Sequence, residues 1–216
     1  MSLNEIFDVF DEQMVKIGEA SRQNVHAQGL WHQTFHCWVL SQSLEGELNL
    51  LLQLRHKDKD TYPNLLDISC AGHLLQGESV EDGVRELQEE LGLTVPFDEL
   101  QFCGVIKGEY MISETVIDRE FNHIFIYRCN KLLEEYDFQK NEISGLFSIK
   151  LIDFQQLLSG KIDLIETEGI VFDETKKEIH NESRKIYLKD IVPNSDDYYK
   201  LLFDEISYSN ERGAIK

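Results

Sequence analysis

The segment that most constrains this chain is residues 71–93, AGHLLQGESVEDGVRELQEELGL, in which a glycine-punctuated loop passes into helical spacing. Its aliphatic residues recur every three or four positions, which places them on one face of a helix: Val80, Val84, Leu87 and Leu91. Ser79 stands where an N-cap would stand, with Asp82 at the capping-box position, and Gly92 stands where a helix would end. The spacing therefore predicts an amphipathic helix that begins after Ser79 and ends before Gly92.

The polar face of this predicted helix carries three glutamates within about one turn. Glu86 lies three positions before Glu89 and four before Glu90, so their carboxylates project from neighbouring positions. Clustered like charges cost stability unless a cation neutralises them, and Mg²⁺ and Mn²⁺ prefer carboxylate oxygens. Arg85, four positions before Glu89, can tie the array together. A solvated acidic helix is the alternative in a chain with 40 acidic and 21 basic side chains.

The chain has 216 residues, enough for one domain or for a domain with an appendage. Its net charge of −19 argues against a surface that coats nucleic acid, whose footprint is basic, and against electrostatic docking on an anionic membrane. A phosphorylated substrate would be repelled unless metal ions or a local basic patch reverse the sign of the field.

The chain lacks the sequence signs of export or membrane insertion. No apolar run approaches the ~18 residues that a membrane span needs, and the acidic, interrupted N-terminus is unlike a signal peptide. The four cysteines, Cys37, Cys70, Cys103 and Cys129, are scattered without a CxxC pair. Reduced thiols in a cytoplasmic protein are what this pattern indicates.

Apolar alternation and turn residues predict many strands and few helices. We expect strands over 5–11, 14–20, 34–40, 48–54, 100–106, 119–129 and 143–149, a short helix or loop over 21–29, and helices over 151–158 and 196–206. A turn at Gly18 would join the first two strands, and segments 170–173 and 185–188 would pair around a charged turn. Periodicity alone gives an α/β or α+β class. We expect a domain over 1–160 and a C-terminal extension over 161–216 that serves as a covering layer, a dimer element or a specificity element.

Nearly every fixed position of a known motif is present in the 71–93 segment. Gly72, Glu78 and the run from Arg85 to Leu93 (RELQEELGL) resemble the signature of the Nudix hydrolases, G-x5-E-x7-R-E-U-x-E-E-x-G-U with U aliphatic. Six residues, not seven, separate Glu78 from Arg85, so the loop enters the helix one residue early. The resemblance implies an α/β/α sandwich with a mixed central sheet, in which the glutamates of the helix bind a divalent cation and Arg85 holds them in place.

Residues 5–155 are further similar to the Nudix branch that contains type I isopentenyl-diphosphate isomerase and its hydrolase-like relatives. This resemblance implies a second divalent-metal site of three histidines and two acids from a later strand; the matching histidines are His26, His32 and His73. Imidazoles are good ligands for Mn²⁺ or Zn²⁺, although the first two histidines could instead cap or brace a turn. The resemblance also places Arg55 and Lys59 on the diphosphate, for which a bidentate Arg and a point-charge Lys are suited. A solvated surface loop is the alternative for these two.

The isomerase's own chemistry is not matched. That enzyme uses a cysteine immediately before the Gly-His pair and a glutamate in a later strand, and Ala71 holds the cysteine's position here. Cys70 is adjacent, but neighbours in an extended segment point to opposite faces. Glu120, in the later strand, does not clearly fall in the required place.

The chain is therefore predicted to hydrolyse a diphosphate linkage in a nucleoside diphosphate derivative or a related organic diphosphate. Mg²⁺ or Mn²⁺ would be held by Glu86, Glu89 and Glu90, and Glu142 and Glu120 are the candidates for the general base. The expected partner is a small-molecule diphosphate rather than nucleic acid or a membrane, and homodimers are common in the family. The alternatives are an isomerase-like enzyme that acts on prenyl diphosphates and an inactive module that binds a nucleotide or diphosphate.

Overall fold

The structure, a computed structural model, describes residues 5–213, with side chains through residue 210. Its elements are β1 (Ile6–Phe10), β2 (Lys16–Ser21), α1 (Arg22–Gln28), β3 (His32–Gln42), β4 (Leu48–Arg55), β5 (Leu66–Asp67), β6 (Cys70–His73), α2 (Arg85–Leu91), β7 (Gln101–Ser113), β8 (Val116–Arg128), β9 (Ile143–Lys150), α3 (Leu151–Leu158), β10 (Leu164–Asp173), β11 (Glu178–Tyr187) and α4 (Asp196–Gly213). The predicted α+β class with a mixed central sheet between helices is confirmed. None of the helices within residues 5–213 combines the length and apolar character needed to cross a bilayer.

The first hairpin differs from the prediction in its turn. Gly18 lies inside β2, opposite Val9, so the predicted turn at Gly18 is wrong. The chain reverses over residues 11–15, where Oδ1 of Asp11 accepts the backbone N–H groups of Gln13 and Val15. These hydrogen bonds from the backbone to the aspartate side chain stabilise the turn, which therefore needs no glycine.

The central sheet runs in the order β11-β10-β9-β4-β3-β8-β7. The β3–β8 pair is parallel, and the other pairs along this path are antiparallel. Successive residues of β3 point to opposite faces. Phe35 and Cys37 pack in one apolar cluster with Leu87 of α2, whereas Trp38 packs in the other with α3 and α4 through residues such as Tyr198. Helices therefore cover both faces of the sheet.

The sheet forks between β3 and β4, which pair along a three-residue ladder that begins at Leu40 and Leu50. Beyond that ladder the strands separate, and β5 pairs with β4 while β6 pairs with β3. Ser69 bridges the fork, because its hydroxyl accepts the N–H of Val39 (2.7 Å) and donates to the carbonyl of Leu51 (2.5 Å). The fork opens the cleft that holds the predicted site residues.

The helix of the 71–93 segment is shorter than predicted. A single 3-10 turn over Asp82–Val84 precedes α2, so Ser79 is not its N-cap. The N–H and hydroxyl of Ser79 both donate to Oδ2 of Asp82 (2.8 Å each), which closes a local turn instead. Gly92 ends the helix in the left-handed conformation, as predicted (φ +67°).

The chain after α3 extends the same sheet. The predicted segments 170–173 and 185–188 belong to one long hairpin but do not face each other, since Ile170 pairs with Asn181 and Lys185 with Glu166. β10 also pairs with β9. The N–H of Val192 then donates to the carbonyl of Leu66 (2.8 Å), so the segment before α4 runs beside β5 at the edge of the cleft.

Candidate active site

A cleft of about 430 Å³ opens at the fork of the sheet and collects side chains from distant parts of the chain. The predicted residues that line it are Arg55, Lys59, Gly72, His73, Glu78, Arg85, Glu86, Glu89, Glu90, Glu120 and Glu142. They come from the loop after β4, from β6 and the loop that follows it, from α2, from β8 and from the loop before β9. His26 and His32 lie beside His73 at one end of this cleft.

Two of the three α2 glutamates are withdrawn from solvent. Glu90 is 3% exposed, and its Oε2 accepts hydrogen bonds from Nε2 of Gln53 and from the N–H of Ala71, both at 3.2 Å. Burial raises the pKa of Glu90 to about 8 and that of Glu86 to about 7. Glu89 is more open, with a side chain 55% exposed. Buried carboxylates with raised pKa values are groups whose negative charge has no adequate counter-ion.

Gly72 is required for the position of Glu86. A Cβ atom on Gly72 would overlap the carboxyl group of Glu86, which lies directly over the β6 backbone. Only a residue without a side chain allows α2 to approach β6 this closely. The glycine of the signature therefore provides the space in which the Glu86 carboxylate lies.

Arg85 joins the loop and the helix of the signature. Its Nε donates to Oε1 of Glu78 (2.8 Å) and its Nη2 to Oε2 of the same carboxylate (2.9 Å). Nη1 reaches Oε1 of Glu86 at 2.5 Å and Oε2 of Glu89 at 3.5 Å, and Nη2 also donates to the carbonyl of His73. The loop with one residue fewer therefore still brings Glu78 to Arg85.

The two predicted phosphate-binding residues are held by protein partners. Nζ of Lys59 lies 2.5 Å from Oε2 of Glu142, and the Lys59 side chain is 9% exposed. Burial favours a raised pKa for Glu142, but the hydrogen bond and charge of Lys59, together with the charge of Arg22, outweigh burial and lower the pKa. Arg55 donates to Asp67 (2.7 Å) and to the carbonyl and hydroxyl of Thr61, so most of the N–H groups of its guanidinium already have partners.

Three histidines and an aspartate converge at the other end of the cleft. The possible ligand atoms of His26, His32, His73 and Asp118 all lie within 4.8 Å of one another. Oε1 of Glu120 is 3.6 Å from Nε2 of His73 and 3.8 Å from Nε2 of His32. The structure therefore brings together the three predicted histidines, and β8 supplies two acids beside them.

The hydrogen bonds of the histidines indicate which nitrogen is free. Nδ1 of His26 faces the carbonyl of Arg22 (2.8 Å), and Nδ1 of His32 faces that of Leu30 (3.0 Å), so each Nδ1 carries the proton and Nε2 keeps its lone pair. His73 differs, because its Nδ1 lies 3.2 Å from Nη1 of Arg22, which can only donate. The proton of His73 is therefore on Nε2.

The cluster has unpaired buried atoms that suit a cation. Among the described residues, no hydrogen-bond partner meets Nε2 of His32, Nε2 of His73 or Oδ1 of Asp118. Burial lowers the pKa of His32 to about 3 and lowers that of His73 well below its ordinary value. Burial also raises the pKa values of Asp118 and Glu120. The imidazoles of His26 and His32 suit Mn²⁺ or Zn²⁺. Nε2 of His73 can bind an ion only when its proton is on Nδ1 instead, which requires Arg22 to move away from Nδ1.

The residues that isomerase chemistry needs are only partly present. Glu120 lies beside the histidines, a placement that the sequence did not make clear. Ala71 lines the cleft at the position of the cysteine, whereas Cys70 is fully buried on the other face, in the apolar cluster with α2. The thiol therefore does not reach the cleft.

Four residues at the site were not identified from the sequence: Asp118 of the histidine cluster, Gln53, which donates to Glu90, and His36 and Tyr110, which line the cleft. Asp118 carried a usable signal, because Asp118 and Glu120 are two apart in a predicted strand and must share a face. Gln53 and Tyr110 had no local signal, since each reaches the site through strand pairing.

Comparison with known proteins assigns the family. The NUDIX domain model matches residues 30–168, which include the whole signature and most of the sheet. The chain belongs to the Nudix hydrolase family. It is a pyrophosphohydrolase of this family, whose members hydrolyse diphosphate linkages and generally need divalent cations.

Several Nudix relatives match most of the chain. An uncharacterized Nudix hydrolase of Clostridium acetobutylicum is 43% identical over 92% of this chain and 95% of its own length. Nudix hydrolase 3 of Arabidopsis thaliana is 31% identical over 86% of this chain, but the match spans only 25% of that longer protein. Isopentenyl-diphosphate Delta-isomerase 2 of Photorhabdus laumondii is 28% identical over 75% of this chain and 86% of its own.

A solved structure supports the fold. The crystal structure of DR0079 from Deinococcus radiodurans superposes with a TM-score of 0.52 at 20% identity, over 72% of this chain and 90% of that one. At this identity the likeness concerns the fold alone.

Proposed function

We propose that this Nudix enzyme hydrolyses the diphosphate linkage of a nucleoside diphosphate derivative, NDP-X, to NMP and X-phosphate, with Mg²⁺ or Mn²⁺ as cofactor. The observation that carries the proposal is the pair of buried carboxylates, Glu86 and Glu90, whose raised pKa values mark a negative cluster without a full counter-charge. Glu89 stands one position before Glu90 at the same cleft. A set of carboxylate oxygens alone suits a hard divalent cation.

The chain's own residues supply binding and proton transfer. When bound at Glu86, Glu89 and Glu90, a divalent cation would neutralise phosphate oxygens and lower the pKa of water. Arg85 holds the carboxylates in place through its contacts to α2 and to the signature loop. Nζ of Lys59 binds a phosphate oxygen of the substrate, for which it exchanges its contact to Glu142.

Glu142 is the general base that we propose. Lys59 lowers its pKa, so Glu142 is ionised at neutral pH before the substrate binds. When Lys59 moves to the phosphate, this lowering is lost and burial raises the pKa of Glu142, so that Oε2 accepts a proton from the attacking water more readily. Glu120, the other candidate from the sequence, has its pKa raised well above the ordinary value by burial and by Asp118. Because burial and Asp118 both favour its protonated form, Glu120 is the weaker candidate.

The histidine cluster is proposed as a second cation site, at His26, His32 and His73 with Asp118 and Glu120. Support comes from the unpaired atoms that converge there. Mn²⁺ and Zn²⁺ suit this set of imidazoles and carboxylates better than Mg²⁺ does. The homodimeric state, the cytoplasmic location and the division at residue 160 stay predictions.

A substrate screen tests the proposal. Purified protein is incubated with nucleoside diphosphate sugars, dinucleotides, nucleoside triphosphates and prenyl diphosphates, with Mg²⁺ or Mn²⁺, and the products are separated by ion-exchange chromatography. We expect NMP and X-phosphate in equal amounts, activity that EDTA abolishes, and loss of activity in Glu89→Gln and Glu90→Gln. Turnover that survives both substitutions would contradict the assignment of the cation site.

An isomerase-like activity on prenyl diphosphates is the second candidate. The position of Glu120 beside the three histidines favours it, whereas Ala71 leaves the cysteine's place without a thiol. The test is deuterium incorporation into isopentenyl diphosphate in D₂O, at high enzyme concentration with Mg²⁺ and Mn²⁺. Absence of exchange removes this candidate.

A further inference from the structure

One wall of the cleft plays no part in the proposed hydrolysis. It is formed by the face of β3 that points away from α2 and by the segment before α4, through Thr34, His36, Val192, Pro193 and Asn194. His36 is 8% exposed, yet it lines the cleft. It pairs across the ladder with Ala71, so it lies beside the loop of the signature.

A hydrogen-bonded chain from β3 to α4 holds the His36 ring. Nε1 of Trp38 donates to the hydroxyl of Tyr198 at 3.0 Å, and Nδ1 of His36 lies 3.1 Å from the same oxygen. Tyr198 is fully buried on α4. The C-terminal helix thereby reaches through the core to a histidine of the cleft.

Counting donors and acceptors assigns the proton on His36. An indole N–H can only donate, and a tyrosine hydroxyl has one proton to give. If Nδ1 of His36 also donated, the O–H of Tyr198 would have no acceptor among the described residues. A buried unpaired O–H is costly, so the hydroxyl donates to Nδ1, and the ring proton is on Nε2.

The Nε2–H group of His36 is available to donate a hydrogen bond to a ligand in the cleft. No described residue forms a hydrogen bond with Nε2. Burial lowers the pKa of His36 to about 4, so the ring is neutral at physiological pH. The cleft therefore contains a fixed, uncharged N–H donor in addition to its carboxylates and cations.

We propose that His36 is a specificity-determining residue whose Nε2–H binds an oxygen acceptor on the organic group X, and that Tyr198 is the positioning residue that fixes this tautomer. The inference rests on the proposed function, because it takes X to be part of a diphosphate ester bound in this cleft. Sugars and nucleosides offer hydroxyl and carbonyl oxygens to such a donor. A hydrocarbon group offers none and would leave the N–H unpaired, which a polar site rejects.

The tautomer is tested without substrate. Protein labelled with ¹⁵N-histidine is examined by two-bond ¹H–¹⁵N correlation spectra at neutral pH, with His36→Gln used to assign the signals. We expect a neutral Nε2–H ring for His36 in the wild type and a mixture of tautomers in Tyr198→Phe, which keeps the ring of the tyrosine but loses its O–H. An Nδ1–H ring or a charged ring in the wild type would overturn the inference.

The specificity is tested with ADP-ribose and UDP-glucose as oxygenated probes and dimethylallyl diphosphate as a hydrocarbon probe. His36→Ala should lower kcat/KM for the better oxygenated probe by about 10-fold, and should leave that for dimethylallyl diphosphate equal or higher, because this probe forms no hydrogen bond with Nε2–H. His36→Gln, whose amide N–H can replace Nε2–H, should recover most of the loss. Equal losses on both kinds of probe, or none on either, would overturn the inference while leaving the proposed function intact. Wild-type protein that hydrolyses no nucleoside diphosphate derivative in the full substrate screen would instead overturn the proposed function, and the inference with it.

Discussion

Arg85 and Glu78 form a two-point ion pair, with Nε and Nη2 of the guanidinium at 2.8 and 2.9 Å from the two carboxylate oxygens. Burial would raise the pKa of Glu78, but the hydrogen bonds from Arg85 and from the N–H of Leu75, together with the charge of Arg85, outweigh burial and lower the pKa. A 3-10 turn over Asp82–Val84 leads from the loop into α2, and the pair forms although the spacing is one residue short. Arg85 thus connects the loop to the carboxylates of the helix.

Replacing Arg85 by Lys should impair catalysis more than folding. A lysine keeps the charge but cannot contact both oxygens of Glu78 and also reach Glu86. We expect kcat/KM to fall by about 10- to 100-fold, as for other residues that orient metal-binding groups. Arg128→Lys is the matched control, because Arg128 contacts Ser209 and Asn210 at an exposed site, and its activity should not change. Equal activity in the two variants would argue against a positioning role for Arg85.

The buried charge of Glu90 should make the metal-free protein less stable as pH rises. The folded state holds a proton on Glu90 up to a pKa of about 8, whereas the unfolded chain releases it near the ordinary value of 4.5. The folded state binds more protons between these values, so its stability falls with rising pH through that window. Glu90→Gln removes this dependence on pH. In EDTA at about pH 8.5 we expect its free energy of unfolding to be about 1–2 kcal/mol higher than that of the wild type, which corresponds to a Tm about 3–6 °C higher.

Glu89→Gln is the control for this measurement, because the Glu89 side chain is 55% exposed. Its melting temperature should follow that of the wild type across the pH range. At about pH 4, below the window, Glu90→Gln and wild type should melt together. Added Mg²⁺ should stabilise the wild type more than Glu90→Gln. A constant difference between Glu90→Gln and wild type at all pH values would contradict the assigned pKa.

Local spacing was enough to find the carboxylate helix, because the side-chain positions on a helix depend only on residues three and four apart. It could not place Glu120, whose approach to His73 depends on the parallel pairing of β8 with β3. It also missed the turn at Asp11, where a side chain rather than a glycine reverses the chain. His36 was missed because its role arises from a contact with Tyr198, far along the chain.

Arg22 should oppose cation binding at the histidine cluster. Its guanidinium donates to Nδ1 of His73, which keeps the proton on Nε2, and its positive charge repels a cation. We expect Arg22→Met to bind Co²⁺, as a spectroscopic substitute for Mn²⁺ or Zn²⁺, about 10-fold more tightly than the wild type, measured by visible absorption. Arg22→Lys keeps the charge and serves as the control, with a smaller gain. Adding His32→Ala to Arg22→Met should abolish the Co²⁺ spectrum, and a spectrum that persists would place the ion elsewhere.

Lys59 should act as an internal counter-charge for the acidic end of the cleft. Its ammonium contacts Glu142. Burial raises the pKa of Glu90, and the charge of Lys59 opposes that rise. Because the side chains of the pair are 9% and 19% exposed, Lys59→Met leaves a carboxylate without its partner among other acids, and we expect a loss of about 1–3 kcal/mol in unfolding free energy. Glu142→Gln should cost less, since the remaining lysine still faces Glu90.

A double-mutant cycle measures this coupling. Urea unfolding is followed in EDTA for the wild type, Lys59→Met, Glu142→Gln and the double variant. The double variant should be more stable than the sum of the single losses predicts, by about 1 kcal/mol or more, because the second change removes the unpaired charge that the first one creates. Mg²⁺ should restore more stability to Lys59→Met than to the wild type, since a bound cation replaces the missing ammonium. Additive losses, or equal stabilisation by Mg²⁺, would show that Lys59 does not neutralise this cluster.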